Sequence, residues 1–250
     1  MRIVYFGYDL FADCFEKIAS MQGVEIMAVY TFKTDDVFEF NSRIRSIARG
    51  KNIPVHTEKI TASALEEYFD NGCNLTISAG YIYKIPILKR SEFKGINIHP
   101  ALLPIGRGAW PYPVTILKGL RRSGVTVHKI TDRFDEGDIL LQRGFSVDRN
   151  ETLDTLTQKS QIVARELITE CLCDFKNLWD NAKPQGAGEY WPEPEDSDRT
   201  ITPDMTVEKA ERIVRAFGSY GVIYEGEVFK GETDREVLVG LSDGRLKLKY

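Results

Sequence analysis

The chain has 250 residues, 42% of them hydrophobic and 28% charged, with a formal net charge of −4. That is the balance of a globular protein long enough for a sizeable core, with room for one small appendage. There is no long basic run, so the electrostatic term that dominates nucleic-acid binding is missing, and no apolar run approaches the roughly 20 residues that span a bilayer. Nucleic acid and membrane are thereby excluded as partners, the opening Met1-Arg2-Ile3-Val4-Tyr5 reads as a first strand rather than a signal peptide, and a cytoplasmic protein is expected.

Arg2 to Phe6 forms a short apolar strand ending at Gly7, after which Leu10, Phe11, Cys14, Phe15 and Ile18 fall at helical spacing. Val24 to Tyr30 predicts a second strand, Phe40 to Arg49 a helix with Phe40, Ile44 and Ile47 on one face, and Ile53 to His56 a brief third strand. Ser63 followed by Glu66 fits a capping box for a helix through Tyr68 and Phe69, and Asn74 to Ala79 returns as a buried strand. Gly95 to His99 and Val125 to Ile130 are two more strands. Leu153, Leu156, Val163, Leu167, Cys171 and Phe175 then mark one face of a long helix closing near Trp179. Strands alternating with helices predict an α/β, Rossmann-like fold: a mostly parallel sheet with helices on both faces, occupying residues 1–182. The proline-rich stretch with Pro184, Pro192 and Pro194 reads as a connector, 183–203. A short helix from Thr206 to Phe217 and a few antiparallel strands from Gly221 make residues 204–250 a small α+β or β subdomain.

Cys14, Cys73, Cys171 and Cys173 lack the paired spacing of a zinc or redox motif and are expected as free thiols, and no metal is called for. The turn Gly7-Tyr8-Asp9-Leu10-Phe11-Ala12 lacks the second and third glycines of a dinucleotide fingerprint, and Tyr8 and Leu10 would obstruct a pyrophosphate. Gly7 is more simply a strand-to-helix turn residue.

The chemistry-bearing stretch is Gly95-Ile96-Asn97-Ile98-His99-Pro100-Ala101-Leu102-Leu103-Pro104. On a strand Asn97 and His99 face one way and the isoleucines the other, meeting at the C-terminal edge where ligands of open parallel sheets bind. An amide donor beside an imidazole is what acyl transfer requires, one to hold a developing oxyanion and one to handle protons. In the second cluster, Gly124 to Asp138, Thr126 and His128 share a strand face and Asp135 precedes a glycine turn. Asp135 is either a loop cap or, if it lies near His99, the group that orients the imidazole and accepts protons.

Asn-x-His-x-x-Leu-Leu-Pro followed by Gly-Val-Thr-x-His-x-Ile-x-x-x-x-Asp-x-Gly resembles the 10-formyltetrahydrofolate-dependent formyltransferases, over residues 1 to about 180. The resemblance implies a triad of Asn97, His99 and Asp135, with 10-formyltetrahydrofolate as the formyl donor. It also implies a pterin slot between two loops: Tyr81, Ile82, Tyr83, Lys84 and Ile85 on one side, Thr131, Asp132, Arg133 and Phe134 on the other, with Ala101, Leu102, Leu103 and Pro104 alongside. The apolar character of the first loop suits a flat heteroaromatic ring.

Within that family the turn after the first strand does not match the phosphate loop of glycinamide ribonucleotide formyltransferase. The negative charge and short tail argue against a methionyl-tRNA formyltransferase. The character is closest to the sugar N-formyltransferases, so the expected acceptor is a small-molecule primary amine on a nucleotide-linked amino sugar used for surface glycan or polysaccharide synthesis. Trp110 and Tyr112 could stack on a sugar or base, and Arg107, between Gly106 and Gly108, could meet a phosphate. An amino-acid or siderophore amine acceptor, or a methionyl-tRNA-like activity, would keep the same triad. A homodimer is compatible with all of these readings.

Overall fold

Strand β1 (Arg2–Gly7) is buried along all but its first position, as a strand covered on both faces must be. The computed structural model describes residues 1–34, 40–218, 220–231 and 236–249. After β1 the chain continues through α1 (Ala12–Ala19), β2 (Glu25–Tyr30), α2 (Ser42–Gly50), β3 (Val55–His56), α3 (Ala62–Asp70), β4 (Leu75–Ala79) and β5 (Gly95–His99). Then follow β6 (Ile105–Arg107), α4 (Pro111–Leu117), β7 (Arg122–Lys129), β8 (Ile139–Ser146), α5 (Leu153–Cys173), α6 (Phe175–Asp180) and β9 (Glu189–Tyr190). The last elements are β10 (Thr200–Ile201), α7 (Val207–Phe217), β11 (Val222–Tyr224), β12 (Glu227–Phe229), β13 (Glu236–Leu241) and β14 (Gly244–Lys249).

These elements form two compact units interleaved in sequence: Met1–Arg107, Gly124–Arg143 and Ser160–Gly188 in the first, and Gly108–Ser123, Gly144–Lys159 and Glu189–Tyr250 in the second. A division by composition follows chain order and detects only the proline-rich connector. The spatial division also draws two central segments into the second unit.

The first unit is built on a seven-stranded sheet of order β3-β2-β1-β4-β5-β7-β8. From β3 to β5 all neighbours are parallel, and β7 runs antiparallel to β5. Side chains alternate across β1: Val4 and Phe6 join Leu65 and Phe69 of α3 in one core cluster, while Tyr5 packs on Phe15 of α1 with ring centroids 4.9 Å apart. Helices thus cover both faces. The chain order reverses between β1 and β4, and the crevice beyond their C-terminal ends is where such sheets bind ligands.

Local details correct several expectations. The cap of α3 is Thr61, whose hydroxyl accepts from the Ala64 amide at 3.2 Å, so the helix starts ahead of the Ser63–Glu66 pair. Helix α2 starts at Ser42 and buries Ile44 and Ala48, leaving Phe40 exposed. Its free N-terminal amides are satisfied from outside: Asp9 accepts from Ile44 N at 2.8 Å and from Arg43 N at 3.0 Å. A carboxylate at a helix N-terminus is favoured by the dipole, which gives the turn after β1 a structural role. Gly7 has a steric reason for its identity, because a Cβ there would meet the Ala79 carbonyl at 2.6 Å. The long helix breaks at Asp174 into α5 and α6. Strand β8 and helix α4 were not foreseen.

In the second unit, α7 buries Ala210, Ile213, Ala216 and Phe217 and packs on α4. Its first turn is held by Thr206 and by Asp243, which accepts from Val207 N at 2.7 Å. Strands β10, β11 and β12 form a small sheet, parallel then antiparallel, and β13 with β14 form a hairpin. Cys14, Cys73 and Cys171 are buried free thiols, and Cys173 is exposed. Among the described residues no helix is long and apolar enough to cross a membrane.

Candidate active site

Antiparallel pairing of β5 and β7 places Asn97 opposite His128 and His99 opposite Thr126. Directly opposed residues share a face, so these four side chains project together at the end of β5, where the chain leaves the sheet at Pro100. The loop between β7 and β8 then brings Asp135 onto them. Its Oδ1 lies 3.3 Å from Asn97 Nδ2, 3.4 Å from His99 Nδ1 and 3.4 Å from His128 Nε2. Asn97 Nδ2 is also 3.2 Å from His128 Nε2. The three residues named from sequence therefore meet, and His128 joins them. Its place is legible in the alternation of Thr126 and His128 along β7.

Backbone carbonyls fix which ring nitrogens carry hydrogen. His99 Nε2 lies 2.7 Å from the Gly106 carbonyl and His128 Nδ1 lies 2.9 Å from the Lys129 carbonyl. A carbonyl only accepts, so both of those nitrogens carry hydrogen. The other two ring nitrogens, His99 Nδ1 and His128 Nε2, face Asp135. Burial pushes the His99 pKa below its ordinary value, opposed by the Asp135 carboxylate and the Gly106 carbonyl and reinforced by His128. His99 Nδ1 is the ring atom turned to the Asp135 carboxylate.

The Asp135 loop is sterically constrained. Asp135 adopts φ +57°, in the left-handed region, and a Cβ at Gly137 would lie 1.9 Å from the Lys129 carbonyl, so only glycine fits there. The loop Ala101 to Pro104 is fixed by Thr126, whose hydroxyl donates to the Ala101 carbonyl at 2.6 Å and accepts from Leu103 N at 3.2 Å and Gln142 Nε2 at 2.8 Å.

The two loops expected to flank a pterin come within reach of each other: Lys84 Nζ is 4.0 Å from Asp132 Oδ1. Tyr81, Ile85, Ala101 and Leu103 are buried, whereas Ile82, Tyr83 and Phe134 expose large apolar side chains. Large exposed apolar side chains thus occur on both loops. Leu102 and Pro104 are half-buried, Thr131 donates to the Arg133 carbonyl, and Arg133 extends toward Glu136.

The residues expected to hold an acceptor are divided between the units. Arg107, in the first, donates to Gln185 and to the Gly186 carbonyl. Trp110 and Tyr112, in the second, differ in exposure: Trp110 is half-buried and lies 4.8 Å from the Tyr220 ring, while Tyr112 is 6% exposed, a packing residue of α4.

A doubly covered, mostly parallel sheet with an Asn-His-Asp cluster at a strand's C-terminal edge brings an amide donor and proton-handling groups to the place where such sheets bind ligands. The formyl transferase family model matches residues 22–172, and the chain belongs to that family. Methionyl-tRNA formyltransferase of Ehrlichia canis (strain Jake) is 32% identical over 189 residues, 71% of this chain. The chain spans 62% of that relative's length. HypX from Aquifex aeolicus has a similar fold, with TM-score 0.71 and 19% identity over 99% of this chain and 45% of that one. The N-formyltransferase from Helicobacter canadensis, solved with folinic acid and dTDP-3-aminofucose, gives TM-score 0.71 and 20% identity over 99% of this chain and 98% of that one.

Proposed function

We propose that this protein transfers the formyl group of 10-formyltetrahydrofolate to the primary amine of a nucleotide-linked amino sugar. The observation that carries formyl transfer is the cluster of Asn97, His99, His128 and Asp135 around one carboxylate oxygen, beside two loops with exposed Ile82, Tyr83 and Phe134. Bound between those loops, the folate supplies an activated formyl carbon. The rest is done by the chain's own side chains. Asn97, whose amide hydrogens rest on Asp135 and His128, turns one of them to the formyl oxygen as it gains charge, which is where a donor lowers the barrier. His99 and Asp135 hold the proton released by the attacking amine and return one to the departing nitrogen. A neutral His99 can receive that proton at Nδ1, where the carboxylate stabilises the cation.

For the acceptor, the reading is supported by the Helicobacter canadensis enzyme, whose structure contains an amino sugar nucleotide. The net charge of −4 favours a small ligand over a polyanion. The 32% identity to a methionyl-tRNA formyltransferase favours charged initiator tRNA as the second reading. The test is steady-state formylation, with 10-formyltetrahydrofolate, of a panel of uridine- and thymidine-diphospho-amino sugars, charged initiator tRNA and glycinamide ribonucleotide. Turnover of at least one sugar nucleotide and neither of the others is expected. Formylation of tRNA alone would replace the sugar reading, and no formylation of any member of the panel would reject both acceptor readings.

A further inference from the structure

Gln185 lies outside every motif that carries the proposed chemistry, yet it touches both loops that build the cluster. Its Nε2 donates to the Asp135 carbonyl at 2.9 Å and to the Gly137 carbonyl at 2.7 Å, engaging both amide hydrogens on the turn that presents Asp135. Its Oε1 accepts from Arg107 Nε at 3.2 Å and Nη2 at 2.9 Å, a two-point contact from a planar guanidinium. Arg107 Nη2 also donates to the Gly186 carbonyl at 3.2 Å, and Nη1 lies 3.9 Å from Glu136 Oε1. Next to Arg107 in the chain is Gly106, whose carbonyl receives the His99 Nε2 hydrogen. One amide thus links the turn holding the carboxylate to the segment that fixes the imidazole.

We propose that Gln185, oriented by Arg107, is the positioning residue that keeps the Asp135 carboxylate registered against His99 and His128. Asp135 occupies a left-handed backbone conformation that an aspartate adopts only when its surroundings favour it, and the two Gln185 donors cap the carbonyls on either side of Glu136. Arg107 acts through this amide and not through the acceptor. The importance of this brace for turnover rests on the formyl-transfer reading, but its effect on the cluster is independent of it.

The test uses the full chain and two readouts. The first is the ring-nitrogen NMR spectrum of its three histidines at fixed pH, with His56 on β3 as the internal reference. In Gln185→Ala and in the isosteric Gln185→Glu, which keeps the volume but loses both donors, the His99 and His128 signals should move toward those of Asp135→Asn while His56 stays. The second readout is kinetic. Misplacing a catalytic group by about 1 Å typically costs on the order of 100-fold in rate. Gln185→Ala should therefore lower kcat by about that factor and leave KM for folate and acceptor near the wild-type values. Arg107→Ala should lower kcat in the same way, and the double variant should be no worse than the worse single one. Unmoved His99 and His128 signals in a folded Gln185→Glu variant would overturn the proposal. So would Arg107→Ala raising acceptor KM and combining additively with Gln185→Ala. If the wild-type chain formylates nothing, the proposed function fails, and the spectrum still decides the brace.

Discussion

Replacing Thr126 by valine tests how the catalytic edge is held, because the substitution preserves shape and removes only the hydroxyl. Thr126 is fully buried opposite His99, and its oxygen uses one hydrogen and both lone pairs on Ala101, Leu103 and Gln142. In the valine variant Gln142 keeps its 2.8 Å bond to the Leu103 carbonyl, but the Leu103 amide is left buried without a partner. An orphaned buried amide costs about 1–3 kcal/mol and each lost neutral hydrogen bond about 0.5–1.5 kcal/mol. Against that, the added methyl contributes at most about 0.8 kcal/mol of burial. The expected loss is about 2–4 kcal/mol, read as a lower urea midpoint with an unchanged slope. Thr126→Ser, which keeps the hydroxyl and loses only a methyl, should cost about 1 kcal/mol. A valine variant within about 0.5 kcal/mol of wild type, or a serine variant as damaged as valine, would refute the reasoning.

Other outcomes follow from the same geometry. His99→Ala and Asn97→Ala should each reduce turnover on the order of 100-fold or more while leaving the thermal midpoint nearly unchanged, since they act on charge present in the transition state. Near-normal turnover of a folded His99 variant would remove it from the site. Titration calorimetry should detect binding of folate derivatives that weakens in Ile82→Ala and Phe134→Ala, and none of nicotinamide dinucleotides, because the turn after β1 lacks the glycines and its Asp9 carboxylate is committed to the first amides of α2. Binding of the dinucleotide alone would contradict this. The folded pKa of His99 lies below that of the unfolded chain, about 6.5. The unfolded state therefore binds the proton first as pH falls, and the stabilisation present above about pH 6.5 is lost below it. His99→Asn should lose less stability than wild type between pH 7.5 and pH 5.5 in paired urea melts, and equal losses would show that His99 is not held neutral.

The sequence by itself determined the alternating strands and helices of the first unit, because residues such as Val4, Phe6, Ile96 and Ile98 are apolar at positions buried by any covered parallel sheet. Strand alternation also put Asn97 and His99 on one face, while Asp135 was named through the resemblance of the two motifs to the formyltransferases. The resemblance implied loops 81–85 and 131–134 on either side of a pterin, and in the structure Lys84 Nζ lies 4.0 Å from Asp132 Oδ1. Other features depended on tertiary contact. The antiparallel pairing of β5 with β7 adds His128 to the cluster, and a register between strands 29 residues apart from Asn97 to Thr126 is not encoded in either strand alone. The cap of α2 comes from Asp9, far back in the chain, so no local signature marks it. Arg107 looked free to meet a phosphate because it lies between glycines, whereas its guanidinium is engaged by Gln185, 78 residues away. Local periodicity reports what a residue faces, and only the fold decides which distant donor or acceptor completes its hydrogen bonds.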